Sequence, residues 1–454
     1  MSELDTESLS ARALKGSFWA STSNWLLKIT TAITLFVTLN YLSVYEYGVV
    51  QVVLSFFTFG VLFNLSAFHD LFVTEMGIYR KTSLPRSKGL FWGYLKAQAL
   101  FSFILWAIFF FGAPLVSSIG KASTEVIPFI RIISFLFLLS PIREAVQLLL
   151  NVELRFFEIA YFGVLEQISR LVILVIALVW FDAGIAGVLL ATVLSQVFAL
   201  VTIGPKFVRI YQPLKETNRE NASILSILLA HGKWGLFVSY ISNFNKTLRI
   251  WLIQLLAGAE AVGLYGVASN LFSHTRSVLP ISEVVTPIIP QYVADRPRLA
   301  MIVNKSIKYS LISYVALGIV GFIVFPPLIS WLFPSYAPGM LVYKIMLVAL
   351  IPHSLTIIFT PLFYAFRSQR ELFFAYMRRI VLTLIFLPVC YKLFGLTGLA
   401  IEFVLTAFIF MLDRYMMAKR LLPELSVSLK NMFTIDEYDR VITGRLRGYM
   451  RKII

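Results

Sequence analysis

Acidic residues, charge in general and sulfur chemistry are what this 454-residue chain has least of: 24 Asp and Glu stand against 40 Lys and Arg, and 14% of residues are charged. A single cysteine, Cys390, excludes an internal disulfide. Four scattered histidines offer no metal-ligand spacing, so redox and structural-zinc roles have no support and no cofactor is expected. Charge this sparse also excludes an ordinary soluble domain. No small-residue cleavage site follows the first apolar run, which opens behind Glu3, Asp5 and Glu7, so that run is expected to remain as a span.

What is present is apolar: 58% of residues are hydrophobic and the mean hydropathy is +0.81. This composition reads as an all-α polytopic membrane protein. Residues 29–45, 47–68 and 309–343 carry no charge at all. Cutting the chain at its turn and charge clusters gives about twelve segments, each near the ~20 residues that cross a hydrocarbon core. They are 17–39, 47–69, 91–113, 126–150, 160–181, 184–204, 233–257, 262–286, 307–330, 341–365, 373–393 and 396–418.

The net charge of +16 does not point to nucleic acid, because most of it sits in short segments between apolar runs. One set of alternate loops holds Arg80, Lys81, Arg86 and Lys88, then Arg155, then Lys206 and Arg209, then Arg296 and Arg298, then Arg367 and Arg370; the other holds little beyond Lys121, Lys344 and Lys392. The positive-inside rule makes the first set cytoplasmic and puts both termini inside, in a cell membrane, the inner one where there are two. The basic tail, 419–454, is expected on the cytoplasmic surface, drawn to anionic membrane lipids.

The chain also repeats itself. At a shift of 218 residues Lys28 falls on Lys246, Lys15 on Lys233, and Tyr47 and Gly48 on Tyr265 and Gly266. At 211 residues Gly184 and Gly187 fall on Gly395 and Gly398. Two six-span lobes, 1–222 and 223–418, with a central cavity between them, follow from this duplication. A cation inside an apolar span costs about 2.5 to 3.5 kcal/mol and persists where it faces a bundle interior or a wet cavity. In the first span Ser17, Ser21, Asn24, Lys28 and Thr31 share one helical face, and Ser239, Ser242, Lys246 and Arg249 share the corresponding face of the seventh. Gln51, Ser55 and Thr58 in the second span are answered by Ser269, Ser273 and Arg276 in the eighth.

Lys28, Lys246, Arg249 and Arg276 are therefore candidate anion ligands, and phosphate suits them because Arg offers a bidentate fork and Lys a compact charge. Asn24, Asn243 and Asn245 are candidates for hydrogen bonds to sugar hydroxyls. Lys28 also admits a plainer reading, with its long side chain reaching towards the cytoplasmic surface. Glu283, expected two turns beyond Arg276 on one face, is a candidate counter-ion or coupling site for a proton or sodium. Arg143 and Glu144, Glu166 and Arg170, and Asp413 and Arg414 place opposite signs close together and read as structural pairs, whereas Arg131, Glu283 and Glu402 have no local partner.

The chain resembles the polysaccharide biosynthesis transporters, the Wzx-type oligosaccharide flippases of the multidrug/oligosaccharidyl-lipid/polysaccharide exporter superfamily. The resemblance covers nearly the whole chain and is carried by Lys15, Gly16, Ser17, Phe18 and Trp19, by the run from Leu42 to Gly48, by the run from Gly258 to Tyr265, and by the paired Gly-x-x-Gly turns. It implies transport of a polyprenyl-diphosphate-linked oligosaccharide, as in O-antigen and lipopolysaccharide assembly, from the cytoplasmic to the outer leaflet, with glycan polymerase machinery as a partner. It implies that spans one, two, seven and eight line the cavity and that the four cations hold the diphosphate. Family members often carry an acid where this chain has Leu248, which removes a coupling carboxylate at that place. Two alternatives stay open: a drug or metabolite exporter, which would favour an acid-bearing cavity, and a membrane glycosyltransferase, polymerase or ligase. The enzyme would need catalytic carboxylates, and the outer loops hold chiefly Glu46, Glu125, Asp182 and Glu260.

Overall fold

Backbone amides in hydrocarbon must be satisfied within the segment, so apolar runs of this length fold as helices. The computed structural model describes residues 23–119, 124–215, 218, 220 and 233–425, and among them there is no strand. The expected first residues of span one, the motif at 15–19 and the tail beyond 425 lie outside the described residues. The helices are α1 (23–41), α2 (Val44–Val61), α3 (His69–Thr82), α4 (Leu84–Phe111), α5 (Ala113–Ile119), α6 (Ile127–Val152), α7 (Phe156–Val175), α8 (Gly184–Lys215), α9 (Lys233–Ser277), α10 (Ile281–Ile288), α11 (Arg296–Leu332), α12 (Ala337–Leu347), α13 (Leu350–Ala365), α14 (Gln369–Phe394) and α15 (Leu396–Leu421). By length and apolarity nine helices among the described residues can cross a membrane, or ten if one bent pair counts as a span. Apolar side chains such as Leu100, Phe103, Ile323 and Trp331 are exposed on the flanks, as lipid-facing positions require.

Local chemistry explains where the helices begin and break. Ser43 caps α2 in a capping box with Glu46, each accepting from the other's backbone N–H. Asp295 accepts from the Arg298 N–H and starts α11 at Arg296, eleven residues before the expected 307, because polar overhangs continue a helix that hydropathy alone cuts short. The expected span 341–365 is instead α12 and α13, bent by 54°. Pro352 accounts for that bend, since it lacks an N–H and its ring would meet the carbonyl of Val348.

Pro280 acts alike on the expected span 262–286, which ends at Ser277. The carbonyls freed there find partners elsewhere: the Tyr314 hydroxyl donates to the Arg276 oxygen at 3.3 Å and the Lys28 ammonium to the Ser277 oxygen at 2.5 Å. Glu283 thus lies on a separate short helix, and its expected register with Arg276 does not exist.

The longest helix, α9, contains a non-helical residue, Gly258, at φ 82° and ψ −179°. Contacts with α2 show what happens there. Tyr240, Phe244 and Trp251 meet Asn64, Phe59 and Ser55 in turn, so the first arm runs against α2. Gly263 then approaches Val44, and Gly266 approaches Gln51, so the second arm runs with it. The chain folds back at Gly258, where a positive φ suits glycine. The hairpin and α2 meet without intervening side chains: a Cβ on Gly48 would overlap the Ala259 oxygen, and one on Gly263 would overlap the Val44 oxygen.

Packing is otherwise mostly within halves. In the first, α4 lies along α6, and α6 and α7 along α8; in the second, α14 lies on α15 and on α9, and α11 lies on α12 and α13. The two repeated turns behave alike, with Gly184 at φ 47° before α8 and Gly395 at φ 59° before α15.

Candidate functional site: a cation-lined cavity

A cavity of about 530 Å³ opens among α9, α13, α14 and α15, with Gln51 of α2 on one side. Its wall carries Lys246, Arg249 and Arg276 from the two arms of α9, Arg379 from α14, Arg414 from α15 and His353 from α13. Among the described residues no Asp or Glu lines it. Hydroxyls and amides, among them those of Ser242, Asn245, Asn270, Thr356, Thr360 and Tyr376, add to its polar surface.

The cations differ in how they are held. Arg249 is 5% exposed and its guanidinium is gripped by Glu402, which is fully buried: Nε reaches Oε2 at 3.1 Å and Nη2 reaches Oε1 at 3.0 Å. The hydroxyls of Thr383 and Thr406 accept from the same Nη2 at 3.4 and 3.5 Å, and the Phe403 ring lies 5.0 Å from the guanidinium carbon. Glu402 therefore has a partner that its sequence surroundings did not reveal, and Arg249 is a neutralised part of the wall. Lys246 is exposed, and its ammonium donates to the Asn243 Oδ1 at 3.4 Å. Arg414 is 2% exposed; its Nη2 donates to Thr360 Oγ1 at 2.6 Å and its Nε has no partner. The Nε of Arg379 is likewise unpartnered.

Of the sequence candidates, the fold brings Lys246, Arg249, Arg276 and Asn245 to this cavity. Asn24, Lys28, Asn243 and Glu283 do not line it. Lys28 instead closes the C-terminal end of the second α9 arm, where a cation also meets the negative pole of the helix. Arg379 and His353 escaped sequence reading and Arg414 was read as a structural partner of Asp413, because the repeat comparison points away from the two arginines: at the 211-residue shift Arg379 and Arg414 fall on Ile168 and Ile203. A signal did exist, since Arg378 and Arg379 lie inside the expected span 373–393. The supposed neighbours Asp413 and Arg414 point apart, for Asp413 takes Arg378 at 2.7 Å and leaves Arg414 facing inward. In the first half Glu166 pairs with Arg143 of α6 at 3.2 Å rather than with Arg170 along its own helix.

A model of the polysaccharide biosynthesis protein family matches residues 13–293, more than half of the chain. The chain belongs to that family. Solved structures show which fold the family sequence adopts here. A multidrug resistance transporter of the MATE family and MOP superfamily, in an inward-facing conformation, matches with a TM-score of 0.72 over 87% of this chain and 95% of its own, at 15% identity. The Vibrio cholerae MATE transporter VcmN, solved as a mutant, gives 0.62 over 95% and 100%, at 14% identity. The lipid II flippase MurJ, inward closed, gives 0.60 over 91% and 88%, at 15% identity. No curated protein sequence matches the chain. Those solved neighbours share the fold, and the chain is a multi-pass membrane protein of the polysaccharide biosynthesis family.

Proposed function

We propose that this protein is a flippase that moves a polyprenyl-diphosphate-linked oligosaccharide from the cytoplasmic to the outer leaflet of the cell membrane, as O-antigen and other surface glycans require. The observation that carries this reading is the cavity itself: among the described residues five Lys and Arg side chains and no carboxylate line it, in a chain of the polysaccharide biosynthesis family. Lys246 and Arg276 are the diphosphate ligands, Arg249 and Glu402 shape the wall between them, and Asn245 offers its unpartnered Nδ2 to a sugar hydroxyl. Twelve spans follow when α1 and the two arms of α9 are each counted, grouped as lobes 1–222 and 223–418 with the tail 419–454 on the cytoplasmic surface. The lobes alternate access by rocking about the cavity, with both termini cytoplasmic. Membrane lipids surround it, glycan polymerase machinery receives its product, and no enzymatic step or cofactor is needed.

The test is transport by the purified protein in proteoliposomes loaded with a fluorescent polyprenyl-diphosphate saccharide. Arg276→Ala and Lys246→Ala each remove a charge-assisted contact of about 1.5 to 3 kcal/mol and are expected to slow flipping about tenfold or more. Normal rates in both variants would remove the diphosphate grip. A second reading, a small-molecule exporter, draws on fold neighbours such as the MATE multidrug transporter DinF-BH. Saturable export of organic cations, with no movement of the lipid probe, would favour it.

A further inference from the structure

The flippase reading leaves part of the cavity unexplained. Five cations line it, Glu402 answers Arg249, and Lys246, Arg276, Arg379 and Arg414 have no carboxylate partner among the described residues. A diphosphate esterified at both ends carries a single negative charge on each phosphate, which Lys246 and Arg276 already balance. Arg379 and Arg414 remain, and they are arranged together. Their guanidinium carbons lie 4.8 and 5.2 Å from the centroid of the same ring, Phe410, and Tyr376 packs against that ring at 4.9 Å. Each keeps a buried Nε without a partner in the protein, and Arg414 is almost fully buried. A buried donor left unsatisfied is costly, more so on a charged group, so two such donors on one ring call for an acceptor from outside the protein. An arginine fork held against an aromatic face is preorganised for a planar oxyanion. Thr356, Thr360 and Tyr376 surround it with hydroxyls of the kind that bind sugars.

We propose that Arg379 and Arg414, set about Phe410, form a second anion subsite that takes a carboxylate borne by the glycan, so that the cargo is an acidic oligosaccharide of the uronic type. The inference rests on the flippase reading for the origin of the sugar. It assigns the two pairs of cations different tasks: Lys246 and Arg276 hold the lipid-side diphosphate, and Arg379 and Arg414 select the glycan by its acid.

The experiment uses the full-length protein in nanodiscs and measures binding of trigalacturonate, of maltotriose as its neutral counterpart, and of geranylgeranyl diphosphate. Trigalacturonate is expected to bind at least about tenfold more tightly than maltotriose. Arg379→Gln and Arg414→Gln are each expected to lose about fivefold or more of trigalacturonate affinity while geranylgeranyl diphosphate binding stays within about twofold; Lys246→Gln is expected to show the reverse. Equal binding of the two trisaccharides by the unaltered protein overturns the subsite without any variant, as does undiminished trigalacturonate binding in both arginine variants. Inorganic phosphate that competes with trigalacturonate no better in the unaltered protein than in the Arg379→Gln variant supports carboxylate selection, and phosphate displacing it at equal concentration overturns it. Trigalacturonate binding without any saturable binding of geranylgeranyl diphosphate upholds the subsite and overturns the lipid-diphosphate reading, so the two failures are distinguishable.

Discussion

The two halves of the chain treat charge in opposite ways. In the first half acids and bases answer each other across helices: His69 meets Glu144 at 2.9 Å, Arg80 meets Glu153 at 2.6 Å, and Arg143 meets Glu166 at 3.2 Å. In the second half Arg249 is answered by Glu402 and, outside the cavity, Arg378 by Asp413, while Lys246, Arg276, Arg379 and Arg414 line one cavity that has no carboxylate among the described residues. Paired charges join helices and cost little once paired, whereas unpaired ones are tolerated in a membrane interior where they serve a ligand. The repeat keeps matching glycine turns in both halves, and on the proposed reading the anion-binding work falls to the second.

The largest effect expected from breaking this contrast is at the buried ion pair of the cavity wall. Glu402→Gln leaves Arg249 buried without its counter-charge and is expected to cost about 3 to 5 kcal/mol, read as a lowered unfolding temperature of the purified protein. Adding Arg249→Met to that variant should recover most of the loss; no recovery would show that Glu402 acts on something other than Arg249. Next comes the seam between the halves. Gly48→Ala drives a methyl group into the Ala259 carbonyl and is expected to cost about 1 to 3 kcal/mol in the same measurement. The smallest effect sharpens the comparison of the symmetry-related lysines: Lys28→Ala is expected to lower stability by about 0.3 to 1 kcal/mol and leave the flipping rate within about twofold, because Lys28 caps a helix end outside the cavity. A loss for Lys28→Ala as large as for Lys246→Ala would put both halves back on equal terms.

Much of the fold was legible because hydrocarbon permits few structures: apolar length and turn glycines located the long helices, while the shorter α3, α5 and α10 were not expected as separate elements. Proline effects were harder, since whether Pro280 breaks a helix depends on who takes the freed carbonyls, and Tyr314 and Lys28 are far away in sequence. The site was half legible. Helical spacing found Lys246, Arg249 and Arg276, but symmetry promoted Lys28, Asn24 and Asn243 along with them, and pairing partners such as Glu402 for Arg249 are set by packing across 153 residues. Arg379 and Arg414 stand where the first half has isoleucine, so the same symmetry argument hid them.

The seam at Gly48 and Gly263 has a consequence for how such a cavity opens. Carbonyls of one half touch glycines of the other, and the Tyr336 hydroxyl adds a bond to the Leu42 oxygen at 2.8 Å. In a rocking mechanism this is a shut door whose leaves meet backbone to backbone at the two glycines, beside interlocked rings such as Phe59 and Trp251. A bulkier residue at either glycine is then a wedge: it penalises the shut state alone, shifts the resting population towards the one with the leaves apart, and makes the rarer face of the transport cycle available to direct observation.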